Sequence, residues 1–366
     1  IEDVMEKLKI AKKHGKVIDG HAPGLVGKNL NQYVDAGIST DHEAFTYDEA
    51  KEKIRSGMKI QIREGSAARN FEALHELISE FPDLTMFCTD DAHPDTLIHG
   101  HIDRIVKLAI KKGHNIFDVL SAASINAIKH YNLPLGTLNL HDSADFIMVN
   151  NLTDFSVEKT ILNGKVIFDR KQETYPEFYP NVVNQFHVEP IHPDQLKVVD
   201  KHLPVKVIEA IDGSLITKSL TAEMPTHDGY LQTDLEKDIL KIAVVNRYDK
   251  IAKVQVGFIK GFGIRKGALA SSIAHDSHNL ICVGTNDHDM LMAINSLIAE
   301  KGGISVCHNQ ELDLIPLPVG GLMANETIEH MAIKYKELEQ KVKILGSDFQ
   351  APFMTLAFMS LLVIPS

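Results

Sequence analysis

Three short apolar stretches of the chain are each followed at once by side chains that can hold a metal ion or carry a proton. His21 follows Lys16–Ile18, His42 and Glu43 follow Gly37–Ser39, and Asp90 and Asp91 follow Leu84–Cys88. Neutral imidazole nitrogens and carboxylate oxygens suit Zn, Mn or Fe, and geometry chooses among them. A lone histidine after a strand is more often structural than a ligand. Two histidines and an aspartate on successive strand ends form a far more specific pattern. The expectation is a metal centre of His21, His42 and one of the two aspartates Asp90 and Asp91. A fourth apolar stretch, Met58–Ile62, leads into Arg63, Glu64 and Ser66. These three could hydrogen-bond a substrate, or Arg63 and Glu64 could form a structural ion pair.

Such residues must be carried on a frame. From 15 to 125 the sequence repeats a short apolar strand, a polar loop and a helix. Helices are expected to run to about Asp35, over Thr46–Ser56, over Ala68–Ser79, through Lys112, and around Asn115–His130. Alternating strands and helices argue for a parallel α/β architecture. In a (β/α)8 barrel the carboxyl ends of the strands form the catalytic face. Only four units are present where eight are needed, so residues 1–130 read as the C-terminal half of a barrel. A small β subdomain is expected over 131–175, including Gly136–Asn150 and Asn163–Asp169. Residues 176–202, with Pro176, Pro180, Pro190 and Pro193, read as a linker, and 203–366 as a second α/β or α+β domain.

The ends set further expectations. Ile1–His14 has the apolar spacing of an amphipathic helix already in progress. The apolar segment Ala351–Ser366 is too short and proline-interrupted to span a bilayer, so it reads as a buried element or a contact with another subunit. Both ends look cut. The 366 residues carry 38 Lys and Arg against 49 Asp and Glu, a net charge of −11. That excess of acid argues against a nucleic-acid-backbone binder. Cys88, Cys282 and Cys307 are scattered and odd in number, which fits no disulfide framework and points to the cytoplasm. The 19 histidines are the unusual count, and they point to metal or proton chemistry.

In the second domain, Gly257–Gly267 is glycine-rich but lacks the dinucleotide fingerprint and reads as tight turns. His275, Asp276 and His278 lie within five residues (HDSHN) and could form a second site or a hydrogen-bonded turn. His99 and His101 read as structural, and His93 as a rim contact.

The spans Gly20–Leu25 (GHAPGL), Ser39–Glu43 (STDHE), Arg63–Asn70 (REGSAARN) and Cys88–Leu97 (CTDDAHPDTL) resemble the bacterial adenine deaminases of the amidohydrolase superfamily. Leu133–Leu152 resembles that superfamily's return to its β subdomain. Gly257–Asp287 and Pro316–Met323 resemble the extra domain of the adenine deaminases themselves. The resemblance implies a binuclear hydrolase, with Mn or Fe and with Zn not excluded, that converts adenine to hypoxanthine and ammonia. It implies that His21, His42 and Asp90 are ligands, that Asp90 takes a proton from water, and that Glu43 moves protons to the purine. Independently of the resemblance, Arg63, Glu64 and Ser66, from their place after a strand, and Asp91 are expected to face the substrate, and the apolar content of the last domain points to a homo-oligomer, a dimer. In one respect the chain departs from the superfamily pattern: no HxH pair lies in the twenty residues before His21. Two alternatives therefore stand beside adenine deamination. One is an amidohydrolase acting on a different nucleobase or cyclic amide, and the other is a non-catalytic remnant without those ligands.

Overall fold

In Lys59–Arg63, Ile60 and Ile62 fall on one face and both are fully buried, the period-two pattern of a strand lying on a core. The computed structural model describes residues 2–66, 68–172, 181–213 and 216–362. Contacts divide the chain into two units, one of residues 1–92 and 99–177, the other of 93–98 and 178–366.

In the first unit, β1 (Thr40–Asp41), β2 (Lys59–Arg63) and β3 (Thr85–Cys88) form a parallel sheet in that order, with Thr40 opposite Lys59 and Ile60 opposite Thr85. The stretch 16–18, expected as a strand, is not one. Only a single carbonyl there is engaged: Ile18 accepts from the Ser39 amide at 3.0 Å and the Ser39 hydroxyl at 3.1 Å. The helix after β1, Tyr47–Arg55, is capped by Thr46, whose hydroxyl accepts from the Glu49 amide. It carries Asp48 and Glu49 in its first turn and Lys53 and Arg55 in its last, matching its dipole. The helix expected over 68–79 is instead two single turns, Phe71–Leu74 and Leu77–Glu80. Phe71, Leu74, Leu77 and Ile78 are buried all the same. One apolar spacing serves both a continuous helix and a broken one, so the pattern could not separate them.

Helix Ile102–Lys111 buries Ile105, Val106 and Ala109 in the same core. The helix around 115–130 runs as Ile116–Leu120, a π turn at Ser121–Ile125, and Asn126–Tyr131. Asn126 is 2% exposed, and its amide donates to the carbonyls of Pro82 at 2.6 Å and Thr85 at 2.8 Å. Asn126→Ala leaves two buried acceptors unmet and is expected to lower stability by about 1–3 kcal/mol, read from the denaturant midpoint. An unchanged midpoint would show that these bonds hold nothing. An antiparallel sheet of β4 (Phe146–Val149), β5 (Val157–Leu162) and β6 (Lys165–Asp169) completes the unit.

The second unit is built on an eight-stranded sheet. Its strands are β7 (Val205–Glu209), β8 (Lys218–Ala222), β11 (Ile239–Val245), β12 (Val254–Lys260), β13 (Ala268–Ser271), β14 (Leu280–Gly284), β15 (Gly303–His308) and β16 (Glu311–Pro316). A hairpin of β9 (Thr226–His227) and β10 (Tyr230–Leu231) lies apart. The order across the large sheet is β16-β15-β13-β14-β11-β12-β7-β8. All neighbours are antiparallel except β12 and β7. Helix Asp287–Ala299, capped by Asn286, buries Met290, Ala293, Ile294 and Leu297 against this sheet.

One sequence expectation is corrected here. Of the stretch read as a linker, 176–180 lie outside the described residues, whereas Phe186, Val188, Ile191 and Leu196 sit in the second unit's core. Proline richness there marks an irregular path rather than a solvated one. In the apolar tail the reading as a buried element holds over Pro352–Phe358, a helix with every residue buried. At the glycine-rich stretch, Gly261 has φ +107 and a Cβ there would collide with the Ala210 carbonyl oxygen. The Gly261 and Gly263 amides donate to the Asp238 carboxylate at 3.0 and 2.9 Å, so the chain bends there, whereas Gly257–Lys260 of the same stretch belong to β12 rather than to a turn. Among the described residues no helix is long and apolar enough to cross a membrane.

Candidate active site

The ends of β1, β2 and β3 bring four of the sequence-expected residues together. His42 and Glu43 continue directly from β1, Arg63 closes β2, and Asp90 follows β3. His21 comes from the loop between helices Glu2–Lys13 and Gly27–Asp35. Its placement depends on Gly20, where a Cβ would collide with the Thr40 carbonyl oxygen. A Cβ-bearing residue would push this loop away from β1.

Within the cluster, Glu43 Oε1 lies 3.4 Å from His42 Nε2 and 3.7 Å from His21 Nδ1. The two imidazole centroids are 5.5 Å apart at 62°. One ligand atom each from His21, His42 and Glu43 falls within 4.8 Å of the others. Asp90 Oδ2 is 3.7 Å from His42 Nε2. Asp91 lies further back, its Oδ2 4.0 Å from Arg63 Nη2, so of the two aspartates Asp90 faces the imidazoles. Two nitrogens and a carboxylate oxygen at this spacing fit a divalent cation of the Zn, Mn or Fe kind, and Asp90 stands at the rim as a further oxygen donor.

Arg63 is 2% exposed, and its guanidinium pairs with Glu43 and, at 2.6 Å, with Asp90 Oδ2. Burial pushes the Glu43 carboxyl up from its usual range, against the opposing pull of Arg63 and His42. Cys88, at the end of β3, is pushed up to about 12 by burial and is no thiolate nucleophile at neutral pH.

The other expected site residues divide. Glu64 does not pair with Arg63, because successive strand residues point to opposite faces. Its carboxyl is pushed up by burial and pulled back by Arg69, by the Phe71 amide and by Arg104. Ser66 donates its amide to the Asp91 carbonyl at 3.0 Å, and its carbonyl accepts from Arg69. In the second unit the His275 ring stacks on Phe358 at 4.7 Å and lies 5.9 Å from the His278 ring, with Asp276 Oδ1 3.8 Å from His275 Nδ1. Among the described residues His275, Asp276 and His278 do not form a group at metal-ligand spacing. The His93 ring meets Tyr335 edge-on at 4.7 Å, and burial pulls the imidazole down to about 4. His101 Nε2 is 2.8 Å from the Thr89 hydroxyl.

Sequence reasoning missed the residues that hold the cluster in place. Asn70 accepts the Arg63 amide at 2.7 Å and donates to the carbonyls of His42 and Ala44, both at 3.2 Å. It thereby joins the start of the Arg63 turn to the His42–Ala44 segment. Asp41, Glu49 and Lys53 form a buried ionic group beneath the His21 loop. The helix-N-terminal Thr-x-x-Glu pattern at Thr46 and Glu49 was the one visible signal, and it reads as a capping box rather than as part of a site.

The amidohydrolase family model matches residues 2–167, and that of the adenine deaminase C-terminal domain matches residues 214–366. The chain is 46% identical to the adenine deaminase of Parabacteroides distasonis over 364 residues, covering 100% of this chain and 67% of that protein. It is 48% identical to the adenine deaminase of Methanosarcina acetivorans over 374 residues, 99% of this chain and 68% of that one. It is 43% identical to that of Borreliella burgdorferi over 368 residues, 99% and 67%. Likeness of this depth over both units, together with imidazole and carboxylate side chains gathered at the strand ends, shows that the chain belongs to the adenine deaminase family of amidohydrolases.

Proposed function

We propose that the protein catalyses the hydrolytic deamination of adenine, taking up water and releasing hypoxanthine and ammonia. The observation that carries this reading is the 43–48% identity to adenine deaminases over essentially the whole chain. It favours adenine over another nucleobase or a cyclic amide, and an enzyme over a non-catalytic remnant. The three parallel strands with their helices belong, in this reading, to the second half of a (β/α)8 barrel. The reduced state of Cys88, Cys282 and Cys307 supports a cytoplasmic setting.

His21, His42 and Asp90 would hold a divalent cation, Mn or Fe, with Zn suited to the same donors. When bound, such a cation lowers the pKa of water from about 15.7 to about 7, so that a hydroxide nucleophile is available at neutral pH. The chain's own residues do the rest. Asp90, 39% exposed on its side chain and steadied by Arg63, takes a proton at Oδ2 and returns it to the amine leaving C6. Ammonia then departs in place of an amide anion. Glu43 is buried beside His42, and burial favours its neutral form, so it carries a proton for N1 of the ring as charge develops there. Arg63 pairs with both of these acids and orients them, and Asp91 lies 4.0 Å from the same guanidinium.

The experiment is ammonia release from adenine, cytosine, guanine and dihydroorotate at equal concentration. Turnover of adenine alone is the expected result, and preference for any of the other three would overturn the assignment. His42→Ala is expected to abolish adenine turnover and to release cation. Retention of both would remove His42 from the centre.

A further inference from the structure

Lys53 is a lysine with no exposed surface, in a helix whose other buried side chains are Glu49, Ala50 and Ile54. An ammonium has three protons to donate, and all three are used. Nζ donates to the Ala22 carbonyl at 2.6 Å, to Asp41 Oδ2 at 2.8 Å and to Glu49 Oε1 at 2.6 Å. The two acids then reach onward. Asp41 Oδ1 accepts from the Ala22 amide at 2.9 Å. Glu49 Oε1 accepts from the Gly24 amide at 2.8 Å, and its Oε2 from the Phe45 amide at 3.1 Å.

These bonds close a loop around the candidate centre. On one side they hold Ala22 and Gly24, which flank or follow His21. On the other they hold Asp41 and Phe45, which bracket His42 and Glu43. None of the clamping atoms belongs to a candidate ligand. We infer that Lys53 is a positioning residue: with Asp41 and Glu49 it ties the His21 loop to the end of β1 and so fixes the spacing of His21 against His42 and Glu43. A buried ionic group is a costly way to add stability, since well-packed apolar residues often do as well. Fully satisfied, such a group does hold its partners in one arrangement. Partners of this kind behind metal ligands are worth about 10- to 100-fold in metal affinity or activity.

The inference rests on reading His21 and His42 as ligands, and the test separates the two. In the full-length protein, Lys53→Met removes the ammonium, and Glu49→Gln removes one charged acceptor at constant size in case the first variant does not fold. Two quantities are read. The first is amide hydrogen exchange over residues 19–27 in protein stripped of metal. The second is the affinity for Mn2+ alone, by competition with a chelator. The expected result is exchange faster by about 10-fold or more over 19–27, with 58–63 and 85–88 unchanged, and Mn2+ affinity lower by about 10- to 100-fold. Exchange and affinity at wild-type levels in the variant that folds would overturn the inference. So would a uniform rise of exchange over all three segments, which would make Lys53 a stability residue only. His21→Ala serves as the control for the underlying reading. Wild-type Mn2+ affinity in that variant would remove His21 as a ligand, while the exchange result would still report on the clamp.

Discussion

Glu43→Gln is expected to lower kcat for adenine by about 10²- to 10⁴-fold, the usual contribution of a positioned proton carrier. Glutamine keeps the size and an oxygen acceptor but has no proton to give. Glu43 is 3% exposed and stands 3.4 Å from His42 Nε2, so its proton is delivered inside the site rather than exchanged with bulk water. Burial raises its carboxyl from the usual range, which enlarges the neutral fraction that can donate. Because Glu43 also lies at ligand spacing from both imidazoles, cation content must be measured on the same sample. A large loss of kcat with cation retained assigns Glu43 to proton transfer. Equal loss of cation and kcat assigns it to the ligand set, and unchanged kcat removes it from the reaction.

Arg63→Met is expected to lower stability by about 3–5 kcal/mol, because removing one partner leaves buried acid without its counter-charge. The guanidinium is 2% exposed and serves two carboxylates, those of Glu43 and Asp90, from one planar group. Arg63→Lys is not expected to rescue it fully, since an ammonium cannot present the same fork to both acids. Denaturant midpoints of the two variants and of Arg63→Met in the Glu43→Gln background give the test. Replacing the Glu43 carboxyl, the group that Arg63 pairs with, is expected to recover part of the loss. Losses that simply add would show that the two side chains do not interact.

Much of the candidate site could be read from residue order. Imidazoles and acids that follow strands gather at one end of the sheet, which placed His42, Glu43 and Asp90 together, whereas His21 reaches them from a loop and not from the strand expected at 16–18. The choice between Asp90 and Asp91 needed the fold, because adjacent residues differ in direction and only the coordinates show which one turns to His42. Arg63 stood open between a substrate contact and an ion pair with Glu64. The structure gives it Glu43 and Asp90 instead, since the pairing depends on strand faces and not on adjacency. Glu49 showed only as part of a helix-start pattern, and Asp41, Lys53 and Asn70 carried no signal, because a lysine on a helix reads as solvated and its burial is a tertiary fact. Residues 181–202 show the converse. Their prolines concealed Phe186, Val188 and Ile191, which pack as firmly as any strand.

The most direct measurement is diffraction from the full-length protein at the absorption edge of its metal. The expected result is an anomalous peak bonded to nitrogen atoms of both His21 and His42 with a carboxylate oxygen beside them. An active protein with no peak there, or with the peak bound to neither imidazole, would contradict the metal centre from which the proposed chemistry is built.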